Sequence, residues 1–111
     1  MGRMSRLSGQ RAEERATTYL IDEGFTILER NFHSRFGEID IIAQRDGVVH
    51  FVEVKYSKVY EPIVQITPAK MTKLFRAIEY YRLTKNLTLP YQIDALLIKD
   101  SSIELVENIS L

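Results

Sequence analysis

Residues 37–55 read Gly37-Glu38-Ile39-Asp40-Ile41-Ile42-Ala43-Gln44-Arg45-Asp46-Gly47-Val48-Val49-His50-Phe51-Val52-Glu53-Val54-Lys55. Two runs rich in β-branched and aromatic residues flank Asp46-Gly47, which predicts two strands and a tight turn. A type I′ turn needs positive φ at both central positions, and Asp-Gly supplies it. With those two residues as the loop, Arg45 pairs with Val48, Ile42 with Phe51, Asp40 with Glu53, and Glu38 with Lys55. Side chains alternate faces along a strand. Asp40, Glu53 and Lys55 therefore share one face, far from the turn. Ile39, Ile41, Ala43, Val48, Val52 and Val54 are expected on the other, with His50 as a hydrogen-bonded core residue among them.

Directly opposed residues of an antiparallel pair have Cβ atoms roughly 4.5–5.5 Å apart, and like charges there destabilise. An Asp facing a Glu on apolar strands has three explanations. A divalent cation sits between the carboxylates, the two acids share a proton, or Lys55 and other cations neutralise them.

Composition narrows the class. A chain of 111 residues, 45% hydrophobic, reads as one domain over residues 1–111. It has no cysteine, which excludes disulfides and thiolate metal sites and suits a reducing cytoplasm. No apolar run approaches a membrane span, and no export signal is expected. Fifteen basic residues balance fifteen acidic ones, whereas general nucleic-acid binders are usually basic. The total hides a pattern: Lys70, Lys73, Arg76, Arg82 and Lys85 stand against Glu79 alone across one segment.

A first helix is expected over residues 8–23, capped by Ser8 and ended by Gly24. Ala12, Ala16, Tyr19 and Leu20 form its apolar stripe, with Glu13 on the edge. A strand over residues 25–32 and a polar link, His33-Ser34-Arg35-Phe36, lead into the hairpin. Arg35 is a candidate phosphate contact. Residues 58–66 read as a loop broken by Pro62. Thr67-Pro68 opens a second helix as N-cap and first helical residue. Its expected buried stripe is Met71, Leu74, Phe75, Ile78 and Tyr81. Lys70, Lys73 and Arg76 project from the rest of its surface, as nucleic-acid contacts or as a solvated face. Residues 91–99 form a strand apolar enough to be buried on both faces, with Asp94 as a structural acid. Residues 103–109 read as a short edge strand. Neither histidine has a sequence neighbour at metal-ligand spacing, which argues against zinc.

Asp40 followed by Glu53-Val54-Lys55 resembles the Asp…Glu-x-Lys signature of the PD-(D/E)xK, restriction-endonuclease-like nucleases. The longer strings Gly37-Glu38-Ile39-Asp40-Ile41-Ile42-Ala43 and Phe51-Val52-Glu53-Val54-Lys55 resemble the bacterial YraN-type family, itself similar to Holliday-junction resolvases. The resemblance spans about residues 9–98. It implies an α/β, restriction-endonuclease-like sandwich with a central mixed β-sheet flanked by helices. It further implies a Mg²⁺- or Mn²⁺-dependent nuclease acting on DNA, branched DNA included, and a homodimer.

In the resembled family Glu13, Asp40, Glu53 and the Val54 carbonyl would hold the metal, with Lys55 as the electrostatic group, and Lys70 matches a recurrent lysine. Ser57, Gln92 and His33 stand where relatives often carry a basic residue. Gln65 precedes the helix on which relatives place a polar residue. Two readings follow: a metal-dependent nuclease, or a non-catalytic nucleic-acid- or protein-binding subunit that kept the fold.

Overall fold

Asp46 and Gly47 adopt φ of 53° and 76°, as the type I′ turn requires, in a computed structural model that describes residues 2–56 and 66–109, with side chains from residue 11. Around that turn the chain runs α1 (Gly2–Asp22), β1 (Thr26–Ser34), β2 (Gly37–Arg45), β3 (Val48–Tyr56), α2 (Pro68–Thr84), β4 (Tyr91–Ile98) and β5 (Ile103–Val106). The strands form one sheet in the order β1-β2-β3-β4-β5. β3 and β4 are parallel and the other neighbours antiparallel, so the sheet is mixed. The parallel pair is joined through α2, as a crossover requires. Ser57, Gln65 and the expected loop as far as residue 65 lie outside the described residues.

Each face of the sheet is covered by one helix, making an α/β sandwich. Ala12, Ala16 and Leu20 of α1 bury against Ile41, Ala43, Val52, Leu96 and Ile98. Leu74, Ala77, Ile78 and Tyr81 of α2 bury against Ile39, Ile42, Val49, Phe51 and Ile93. β4 contributes to both layers, which explains its near-continuous apolar run. No helix among the described residues is long and apolar enough to cross a membrane.

Several boundaries differ from expectation. α1 begins at Gly2, so Ser8 lies within the helix and is not its cap. Its end is as expected. Gly24, at φ 91°, lets its own N–H reach the Ile21 carbonyl and the Phe25 N–H reach that of Leu20, a Schellman motif. Thr67 caps α2 by accepting from the Lys70 N–H, with Pro68 first in the helix. Phe75 was expected in the core but is 43% exposed, and Ala77 takes its place in the buried stripe. β5 stops at Val106. Beyond it Asn108 turns at φ 57°, and the Ile109 N–H donates to the Ile93 carbonyl.

Ile39 also departs from period-2 arithmetic. It packs under α2 with Ile42, whereas Ile41 packs under α1. Arg30 pairs with Ile41 and Phe32 with Ile39, and between them Asn31 takes φ 53°. A left-handed residue inside a strand breaks the alternation, so both strands swap faces at this level.

A buried polar cluster ties β3, β4 and the tail together. The Asp94 side chain is fully buried, with Oδ2 2.6 Å from His50 Nδ1. Its Oδ1 accepts from the Gln92 amide at 2.9 Å and the Asn108 N–H at 3.0 Å. Asp94→Ala would strand His50 and the Asn108 N–H together. Leaving buried polar groups unpaired costs about 1–3 kcal/mol each, so urea denaturation should show a loss of about 3 kcal/mol. Gln92→Ala should cost less than half of that.

Candidate functional site

The β2–β3 ladder runs from Arg45–Val48 to Ile41–Val52 and stops there. The expected pairs Asp40–Glu53 and Glu38–Lys55 lie beyond that end. The reason is a side chain: Asp40 Oδ2 accepts the Val54 N–H at 2.8 Å, using the donor that the next rung would have taken. An extended residue points its N–H and C=O to the same edge, so the Val54 carbonyl turns to the same gap.

The parted strands and the first turns of α2 enclose a cleft of about 220 Å³. Gly37, Glu38 and Asp40 line it from β2, Glu53 and Lys55 from β3, and Lys70, Lys73 and Leu74 from α2. Gly37 has φ 152°, and a Cβ there would meet the Lys73 carbonyl at 3.4 Å. Glycine thus lets the start of β2 lie close against the helix.

Charge in the cleft is divided into like pairs. The Asp40 carboxyl is pushed up to about 7, first by desolvation, then by the charge of Glu53 and further by Glu13. The Val54 N–H and Lys55 pull it back in part. Glu53 is also raised, by burial above all, although Lys55 Nζ lies 3.3 Å from its Oε1. Lys70 is exposed, and its ammonium is shifted down chiefly by the charge of Lys55. Two crowded carboxylates therefore stand beside two crowded ammonium groups.

The sequence-predicted residues divide by position. Asp40, Glu53, Lys55, Lys70 and Lys73 meet in the cleft, and Val54 borders it. Glu13 is half-buried on α1 and reaches Asp40 through its charge without lining the cleft. Arg35 and Arg76 line a separate, neighbouring groove. Glu38 lines the cleft although no role for it follows from the signature. Its neighbour across β1 is His33, whose Nδ1 lies 3.0 Å from Glu38 Oε1.

A second acidic group is invisible in the sequence because its members are far apart. His50, Asp94 and Glu107 offer ligand atoms within 4.8 Å of one another, and could hold a cation. Each is already engaged. Asp94 uses both oxygens, His50 uses Nδ1, and Glu107 Oε1 takes the Gln92 amide at 3.3 Å and the Arg45 guanidinium at 3.7 Å. A cation there would have to break these bonds. Among the described residues this is the one group of three such side chains at that spacing. Asp40 and Glu53 are crowded but not joined by a third at that distance.

Fold and cleft together define a small α/β sandwich with a carboxylate–lysine cleft at the split end of a hairpin. A family profile described as uncharacterised protein family UPF0102 matches residues 12–98, and the chain belongs to that family. It is similar along its length to a UPF0102 protein of a Nitratiruptor species, 55% identical over 111 residues, covering 100% of this chain and 99% of the relative. A UPF0102 protein of Helicobacter hepaticus is 53% identical over 107 residues, covering 96% and 97%. One of Campylobacter fetus is 47% identical over 111 residues, covering 99% of each.

The cleft makes stability depend on pH in a definite direction. Asp40 holds its proton more tightly folded, at about 7, than at its ordinary 3.8. The folded state therefore binds more protons between those values. Its contribution to stability is full below the lower value and is lost as pH rises through the higher one. In chelator, the melting temperature should fall across that window. Asp40→Asn should flatten the fall; parallel wild-type and variant profiles would show that Asp40 is not strained.

Proposed function

We propose that this protein is a metal-dependent nuclease that hydrolyses phosphodiester bonds in DNA, branched DNA included. One observation carries the reading: two half-buried carboxylates, Asp40 and Glu53, converge in a cleft where burial raises both and the charge of Glu53 raises Asp40 further. A divalent cation removes that cost, because carboxylate oxygens are the ligands a hard cation prefers. The donor set fits: Asp40 keeps Oδ1 beyond its bond to Val54, Glu53 adds a second carboxylate, and the Val54 carbonyl faces the gap. Glu13, on α1 and outside the lining of the cleft, adds its negative charge to Asp40. When bound, Mg²⁺ or Mn²⁺ would stabilise charge on phosphate and acidify a bound water.

The chain's own residues supply the rest. Lys55 and Lys70, whose ammonium is shifted down chiefly by the charge of Lys55, form an anion site that a phosphate oxygen would relieve. The N-terminal turns of α2 add a positive dipole end at the same place. Lys55, held at 3.3 Å from Glu53, is positioned to stabilise charge developing on the phosphate. Lys73 lies one turn further along α2, where it can neutralise a neighbouring phosphate.

Labelled single-stranded, duplex and four-way-junction DNA should be cut in Mg²⁺ or Mn²⁺ and left intact in chelator. Asp40→Asn and Lys55→Ala should each reduce the rate on the order of 10²-fold or more. Absence of cleavage of every substrate by folded protein would favour the non-catalytic binding subunit. Sedimentation of the same preparations would test for a homodimer.

A further inference from the structure

Next to the cleft lies an open groove of about 550 Å³ whose lining is mostly apolar. That volume falls within the ordinary range for a ligand site. Phe36 contributes from the β1–β2 turn, and Phe75, Tyr80 and Leu83 from α2, flanked by Arg35 and Arg76. Phe75 is 43%, Tyr80 41% and Leu83 79% exposed. So many large apolar side chains exposed side by side mark a binding surface.

The aromatic groups are held, not loose. The Phe36 and Tyr80 rings lie 6.0 Å apart, and Tyr80 packs on Phe32 at 6.2 Å. Ser34 fixes the turn: its hydroxyl accepts the Phe36 N–H at 3.2 Å and donates to the Gly37 carbonyl at 2.9 Å. The Arg35 guanidinium lies 4.8 Å from the Phe36 ring centre. Glu79 is the groove's acidic member, and it is paired with Arg82. The two arginines therefore leave the groove net positive.

The groove and the cleft are continuous through the backbone. Phe36 precedes Gly37, and Phe75 follows Leu74, both of which line the cleft. We propose that this groove receives unpaired nucleotides of the DNA strand whose phosphate lies in the cleft. The proposal rests on the nuclease reading. The occupant follows from the lining. Flat aromatic faces beside arginines suit bare bases and their phosphates, and stacking contributes about 1–3 kcal/mol per base. Duplex DNA hides its base faces and would offer phosphates alone.

The test is fluorescence anisotropy with a labelled single strand and its matching duplex, both in chelator so that nothing is cut. Phe75→Ala and Tyr80→Ala should each weaken single-strand binding about tenfold and leave duplex binding unchanged. Both side chains are substantially exposed, and circular dichroism would confirm that the variants fold. Three results would overturn the proposal: no single-strand binding by wild type, equal losses on both probes, or no loss on either. A concentration-dependent dimer that Phe75→Ala dissolves, with strand binding intact, would also overturn it by placing a second copy in the groove. Because binding is read without catalysis, the nuclease reading can fail separately. Strand-selective loss in a protein that cuts nothing retains the groove. Metal-dependent cutting, with strand binding indifferent to Phe75, retains the nuclease alone.

Discussion

The bond from the Val54 N–H to Asp40 Oδ2 decides how this molecule is arranged. A strand that has paired five residues with its neighbour would ordinarily continue. Here a carboxylate occupies the donor at the next rung, at 2.8 Å. The backbone loses no partner, so the break carries no unsatisfied donor there. It does leave space between β2 and β3, and the first turns of α2 close that space. The acid that separates the strands is also the acid most strained by the cleft, so structure and electrostatics meet in one side chain.

The surrounding packing keeps that side chain in place. α1 and α2 clamp opposite faces of the sheet, and β4 belongs to both cores. Asn31, with its left-handed backbone, lets β1 follow the face change at Ile39 and Ile41. On the other side of β3, the Asp94 cluster joins His50, Gln92 and the Asn108 backbone. β3 is thus fixed along its length, while the strained carboxylates sit only at its far end.

Much of this was legible in the sequence, and the parts that were not share a cause. The turn, the five pairs nearest it and the two helices follow from Asp46-Gly47, strand alternation and the apolar stripes, and the mixed sheet was what the family resemblance implied. The convergence of Asp40, Glu53 and Lys55 follows from the same alternation. The end of the ladder does not, because counting pairs assumes an unbroken ladder, and a side chain took the place of one rung. Ile39 was misplaced because alternation breaks at its level, where Asn31 of β1 takes a left-handed backbone. Phe75 was misassigned because a 3.6-residue period leaves the stripe's edge open, and only packing chose Ala77 over it. The His50–Asp94 pair spans 44 positions, and local pattern carries no information at that distance.

The bulge at Leu28 and the left-handed Asn31 have an effect beyond the site. Both lie in β1, which is one outer strand of the sheet. A bulged, twisted border is a poor template for another chain, because its free N–H and C=O groups do not form a flat row. The opposite border, β5, has only four residues. The sheet is therefore blunted at both margins against end-on growth into fibrils or continuous intermolecular ladders. The charged Glu29 and Arg30 of β1 and Glu104 of β5 act as gatekeepers in the same sense.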